Sequence, residues 1–198
     1  MYYKTFHYII VAKGGIIMGI TNEHLQTNSH TTFMMQQAQP IHTEDIMTLL
    51  VNTAKWFKAN GSSQWNGLLE GIDSHRTEEA VARGDVFIAT MNETIAGMVM
   101  LLKEPSAWDK NLWDLSDDEQ NEAVYLHRLA INRDFANHQL GSALLTWCQQ
   151  SIRFPEIQKI RLDCIADNPF LNRFYQTNGF VYVGEKDGYS LYEYKYEK

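Results

Sequence analysis

Long apolar runs, cysteine pairs, metal-ligand spacings and a surplus of positive charge are all missing from the 198 residues of this chain, and each absence removes a class of function. The segment Tyr8–Ile20 is apolar but broken by Lys13 and three glycines, and it is shorter than the roughly 20 residues needed to span a bilayer. The polar, histidine-containing stretch Thr21–Thr32 that follows offers no small-residue cleavage site, so a secretory signal is not expected. Only two cysteines are present, Cys148 and Cys164; they cannot build a disulfide framework, lack the spacing of a zinc or redox motif and suit a reducing cytoplasm. The seven histidines are scattered without the helical i, i+4 spacing of a metalloprotease site, so no metal is expected. Seventeen basic residues against 24 acidic ones leave a net charge of −7. That balance argues against nucleic acid and anionic membrane surfaces and favours cationic small molecules or basic peptide ends, although mild acidity also serves solubility alone.

What is present fits one globular domain: 44% hydrophobic and 21% charged residues in a chain long enough to bury a real core. Residues 1–32 read as an N-terminal extension, either a functional arm or a stretch outside the fold, ahead of a domain spanning 33–198. Phe33–Ala38 reads as a strand. After Pro40, the spacing of Ile46, Leu49, Leu50, Ala54 and Phe57 predicts a helix with Thr43 as its cap, ending near Asn60-Gly61. A short helix over Thr77–Arg83 stops at Gly84, and Val86–Met91 and Thr94–Leu102 form a hairpin about Asn92-Glu93. Pro105–Asn121, with Trp108, Trp113 and the acidic run Asp117-Asp118-Glu119, reads as a long surface loop. Strand Ala123–Ile131, helix Gly141–Arg153 and strand Ile160–Ile165 make a β-α-β unit; a helix from Asn168-Pro169 to Asn178-Gly179 precedes strands near Phe180–Gly184 and Tyr189–Tyr196. An antiparallel first half joined to a β-α-β half predicts an α+β fold, a mixed central sheet flanked by helices.

The chemistry concentrates between Glu122 and Gly179. Strand, loop and helix follow one another over Leu126–Ile131, Asn132–Leu140 and Gly141–Leu145, and a loop entering a helix presents unpaired N–H groups at the positive end of the helix dipole, a place for an anion. The G-x-x-x-x-G-K-[ST] and G-x-G-x-x-G patterns of nucleotide-binding loops are absent there. Leu129-Ala130-Ile131 with Phe135–Leu145, and Asn168–Phe180, together resemble the GNAT acetyltransferases. The first stretch is similar to that family's Q/R-x-x-G-x-G/A loop, placed on Ala136–Gly141, and the second to its N-x-x-A-x-x-F-Y-x-x-x-G-F region. In the loop only Gly141 matches. Ala136 and Gln139 replace the other key residues, and a side chain at 139 fits if its backbone is not left-handed.

The resemblance covers about Met34 to Tyr196 and implies the GNAT fold with six to seven strands, acetyl-CoA as co-substrate, a small-molecule or peptide amine as acceptor, and sometimes a homodimer through the terminal strand Tyr189–Tyr196. It implies pantetheine pairing to the backbone of Leu129, Ala130 and Ile131. It also implies pyrophosphate held by the loop and helix start over Asn137, His138, Gln139, Leu140, Gly141 and Ser142, with Asn168 on the pantetheine and Asn172 facing the phosphates. Asn168 also reads as the cap of its helix ahead of Pro169. Tyr175 matches the family's general acid, and a phenol of pKa about 10 can protonate a departing thiolate; a packed aromatic is the plainer role for it. The attacking amine needs a base, and strand alternation puts His127 on one face with Tyr125, Leu129 and Ile131. A structural histidine, with water as base, is the other reading of His127. Trp65, Trp108 and Trp113 either line an acceptor pocket or pack their loops. A non-catalytic acyl-CoA sensor of the same fold is the alternative to an enzyme, motivated by the altered loop.

Overall fold

The computed structural model describes residues 10–12, 15–17, 23–116, 122–154 and 156–197. Ile10–Ala12 (β1) and Gly15–Ile17 (β2) pair as a separate antiparallel ribbon. The main sheet is built from Glu23–Gln26 (β3), Thr32–Gln37 (β4), Val86–Met91 (β5), Thr94–Leu102 (β6), Ala123–Ile131 (β7), Lys159–Ile165 (β8), Val181–Lys186 (β9) and Tyr189–Lys195 (β10). These eight strands run in the order β3-β4-β5-β6-β7-β8-β10-β9, and β7–β8 is the parallel pair in an otherwise antiparallel sheet. The sheet is mixed, as the element order predicts, with eight strands where six to seven were expected.

The additional strand is β3. It pairs with β4 from Glu23 opposite Met35 to Gln26 opposite Thr32, so the folded sheet starts ten residues before the expected boundary at 33. The terminal strand β10 lies inside the sheet, between β8 and β9. The edge is β9, where Val181, Tyr182 and Val183 are exposed.

Helices cover both faces because each buries one apolar stripe. Thr43–Ala59 (α1) turns Ile46, Leu49, Leu50 and Ala54 inward and joins a core with Val86, Ile88, Met98, Met100 and Tyr125. Thr43 is the first helical residue and not its cap: the 3-10 turn Pro40–His42 runs directly into α1, and the cap His42 makes no side-chain bond to the helix. Asn66–Leu69 (α2) and Thr77–Arg83 (α3) lie on the same side, contributing Leu68, Ala80 and Val81. Leu140–Gln150 (α5) and Pro169–Thr177 (α6) cover the other face, where Leu144, Leu145, Cys148 and Tyr175 pack with Phe87, Val99, Leu126 and Leu162. The β5–β6 turn places Asn92 and Glu93 at φ 49° and 64°, the two positive values that a tight hairpin turn requires.

Within the expected loop after Pro105, Ala107–Leu112 forms a sixth helix (α4). Ser106 caps it: its Oγ accepts from the Asp109 N–H, while Asp109 Oδ2 accepts from the Ser106 N–H. The acidic run 117–119 lies outside the described residues.

Candidate active site

The site begins with a strand that changes register. β7 pairs with β6 at Met98–Ala130 and again at Met100–His127, so Val99 on β6 faces both Arg128 and Leu129. Arg128 absorbs the extra residue at φ 51°, which is a β-bulge. Before it, Val124 and Leu126 join the α5/α6 core while Ala123 and Tyr125 join the α1 core; after it, Leu129 and Ile131 fall on the α5/α6 side and Ala130 on the other. His127 therefore alternates with Tyr125 as expected, but the bulge moves Leu129 and Ile131 to the opposite face.

The parallel pairing of β7 and β8 covers only Ala123, Val124 and Tyr125 against Lys159, Ile160 and Arg161. Beyond Tyr125 the strands part, and a cavity of about 460 Å³ opens between them. Leu126–Leu129 of β7, Asp163–Ile165 of β8 and Tyr175 of α6 form its walls, with Trp65, His75 and Trp108 closing it from the loops. Trp113 instead lies under the Arg161 guanidinium, 4.4 Å from its ring.

Past the cleft, β7 runs through the 3-10 turn Arg133–Phe135 to the start of α5. Its first i→i−4 bond runs from the Ala143 N–H to Gln139 O, so the amides of Leu140, Gly141 and Ser142 precede any helical acceptor. Gly141 lies close to α6: a Cβ there would stand 3.3 Å from Phe174 Cζ, so the ring would have to give by a few tenths of an ångström. The preceding loop places Asn137 at φ 69° and Gln139 at φ 56°. Gln139 is thus left-handed, contrary to the condition under which its side chain fits, and carries about 1–2 kcal/mol of strain. His138 turns away from the cleft: Ser29 Oγ donates to its carbonyl at 3.0 Å, and Thr31 Oγ1 lies 3.0 Å from its Nδ1. The tip of the β3–β4 hairpin therefore holds this loop.

On α6, Asn168 Oδ1 accepts from the Leu171 N–H and Pro169 follows as the first helical residue, so Asn168 is the cap. Asn172, expected to face the phosphates, spends its side chain on bonds within the fold. Its amide donates to the carbonyls of Ile165, Ala166 and Asn168, and its Oδ1 accepts from the Tyr192 hydroxyl, which closes the β8–α6 turn. Tyr175 is buried among Phe174, Phe180 and Tyr192, and burial pushes its phenol well above the usual range.

Opposite, His127 is held at both ring nitrogens. Its Nε2 lies 3.1 Å from Asp109 Oδ1, and its Nδ1 lies 3.2 Å from His75 Nε2. Burial raises the Asp109 carboxyl, but the bonds from His127 and Ser106 outweigh it and leave the group below the ordinary range. Asp163, which accepts from Trp108 Nε1, is pushed up by burial. Ligand atoms of Asp109, His127 and Asp163 lie within 4.8 Å of one another, a gathering that sequence spacing did not show. Arg128 is buried with its guanidinium 3.3 Å from Asp73 Oδ1 and 4.8 Å from the Trp65 ring centre.

The acetyltransferase (GNAT) family model matches residues 50–180. The chain belongs to the GNAT family. It is 46% identical over 151 residues to the uncharacterized N-acetyltransferase YesJ of Bacillus subtilis (strain 168), across 76% of this chain and 83% of that protein. A crystal structure of a GNAT-family acetyltransferase from Listeria monocytogenes superposes with a TM-score of 0.75 at 32% identity, covering 87% of this chain and 99% of that one. The PaiA N-acetyltransferase of Thermoplasma acidophilum, solved with coenzyme A, shares the fold at a TM-score of 0.65 and 17% identity, over 84% and 100% of the two chains. Two residues of the His127 network in this GNAT chain were not singled out from the sequence: His75, in a polar loop that lines the cavity, and Asp109 behind it. For Asp109 a cue existed, since Ser106-x-x-Asp109 is a capping-box spacing.

Proposed function

We propose that this GNAT chain moves an acetyl group from acetyl-CoA directly to an amine of a small molecule or peptide. The observation that carries the reading is the parting of β7 from β8 beyond Tyr125, with Tyr175 and His127 both on the wall of the resulting cavity. The residues present suit acetyl-CoA. Leu129–Ile131 have lost their β8 partner and offer backbone groups to pantetheine, while the Leu140, Gly141 and Ser142 amides, with Asn137 and Gln139 shaping the approach, suit a pyrophosphate. Acetyl-CoA supplies the activated acetyl group and a thiolate that leaves.

The Tyr175 hydroxyl is kept protonated by its raised pKa, and it donates to sulfur as the tetrahedral intermediate collapses and the C–S bond breaks. The imidazole network at His127 receives the proton the amine gives up. Asn168 helps hold the pantetheine through the backbone it caps. No metal step is needed, so dialysis against a chelator leaves the rate unchanged. The two buried thiols suit a reducing cytoplasm, and no helix among the described residues is long and apolar enough to cross a membrane.

The test is thiol release from acetyl-CoA across a panel of amines, with isothermal titration of CoA alongside. Tyr175→Phe is expected to lower kcat by about 10²-fold while CoA affinity holds. CoA binding without turnover on any amine would instead identify a sensor.

A further inference from the structure

Neither nitrogen of His127 is free to meet an amine. Asp109 occupies Nε2 and His75 occupies Nδ1. Asp109 is fixed in turn, its Oδ2 accepting from the Ser106 hydroxyl at 2.6 Å and the Ser106 N–H at 2.8 Å, and only 1% of its surface is exposed. An ionised Asp109 requires the proton of neutral His127 on Nε2, which leaves Nδ1 as an acceptor and makes His75 Nε2 the donor to it. The last acceptor of the chain is then His75 Nδ1, which accepts from the Ser74 hydroxyl at 3.1 Å, a bond to a rotatable hydroxyl that an incoming amine displaces; both Ser74 and His75 line the cavity.

The loop that presents His75 is fixed. Asp73 Oδ1 accepts from the His75 N–H at 3.2 Å, Asp73 Oδ2 accepts from the Thr77 N–H at 2.6 Å, and Asp73 also pairs with Arg128 at the bulge.

We propose that His75 is the residue that accepts the proton from the acceptor amine, and that His127 and Asp109 are a built-in relay that takes the charge away from it. This rests on the acetyl-transfer reading. As the amine nitrogen bonds to the acetyl carbon, its proton passes to His75 Nδ1, and the proton on His75 Nε2 moves to His127 Nδ1. His75 ends neutral as the other tautomer, and the positive charge rests on His127 beside the Asp109 carboxylate. Burial, with His127 and Arg128 nearby, depresses His75 to about 3, so the charge does not stay on His75. The charged and titratable groups around the pair are Asp73 on its own loop, Arg128 on β7, Asp109 on α4 and Asp163 on β8. Asp109 is a positioning residue, since it acts through His127.

Two measurements test the relay. In the wild type, ring nitrogen NMR at neutral pH is expected to show His127 protonated at Nε2 and bare at Nδ1; the opposite tautomer reverses the chain and overturns the proposal. This spectrum is readable even if no amine is acetylated, in which case the functional reading fails by itself. With an active amine, His75→Gln is expected to lower kcat by about 10²-fold at unchanged KM for acetyl-CoA, and free imidazole should restore part of the rate to His75→Ala. If His75→Gln keeps kcat within about threefold, or imidazole rescues His127→Ala but not His75→Ala, His127 acts on the amine directly and the proposal is wrong.

Discussion

A methyl group added at Gly97 would stand 3.0 Å from Ile131 Cδ1, 3.1 Å from Ala130 O and 3.2 Å from Leu140 Cδ2. Those three residues end β7 and begin α5, so Gly97→Ala is expected to cost about 1–3 kcal/mol of stability and to raise KM for acetyl-CoA. Thermal unfolding and steady-state kinetics read the two effects separately. The thiols make a second case. Burial pushes Cys164 up to about 12 and Cys148 higher still, so the thiolate fraction at pH 8 falls, and both should react with a thiol reagent at least ~10²-fold more slowly in the native protein than in urea. At this scale the sequence was readable where a residue acts alone. Tyr175 is placed by the motif that it matches, whereas His75 meets His127 across 52 positions, a separation no local pattern encodes.

β3 and the turn that joins it to β4 form the element that sequence reasoning set outside the domain. Glu-His-Leu-Gln carries one apolar residue in four, Leu25, and its partner in the sheet is supplied by the fold. Yet Ser29 and Thr31 at its tip hold His138, and Glu23 accepts from Trp147 Nε1 on α5. The double change Ser29→Ala, Thr31→Ala removes two restraints of about 1 kcal/mol each at most. It is expected to raise KM for acetyl-CoA several-fold with kcat nearly unchanged; an equal fall in kcat would place the hairpin's role elsewhere. β7 shows the opposite limit. Its span was legible to the residue, but its bulge was not placed: the two polar residues between Leu126 and Leu129 break strict alternation, yet the position of the extra residue is fixed only by pairing with β6.

Across the molecule, the buried carboxylates set the response to acid. Asp73 and Asp109 sit below their ordinary range; each adds stability above the unfolded value of about 3.9, lost as pH falls through the folded value. Asp163, raised by burial, works in the opposite sense and offsets part of that loss. Unfolding temperature should therefore fall steeply only below about pH 4, and Asp109→Asn should flatten that limb in a series of melts from pH 3 to 6. The layered α+β plan was legible because helix and strand periods alternate cleanly after Phe33. Strand order at the far edge was not, since β10 and β9 differ in position through long-range pairing alone.

The short contact between β7 and β8 also has a mechanical meaning. Three residue pairs, Ala123–Lys159, Val124–Ile160 and Tyr125–Arg161, stitch a five-stranded half to a three-stranded half, and the rest of that boundary is open. The sheet has a seam. Its halves should loosen separately in amide hydrogen exchange, with β8, β9 and β10 opening as one unit. A pantetheine lying along the seam would act as mortar, coupling the halves into one cooperative block and slowing exchange on both sides of the cleft together.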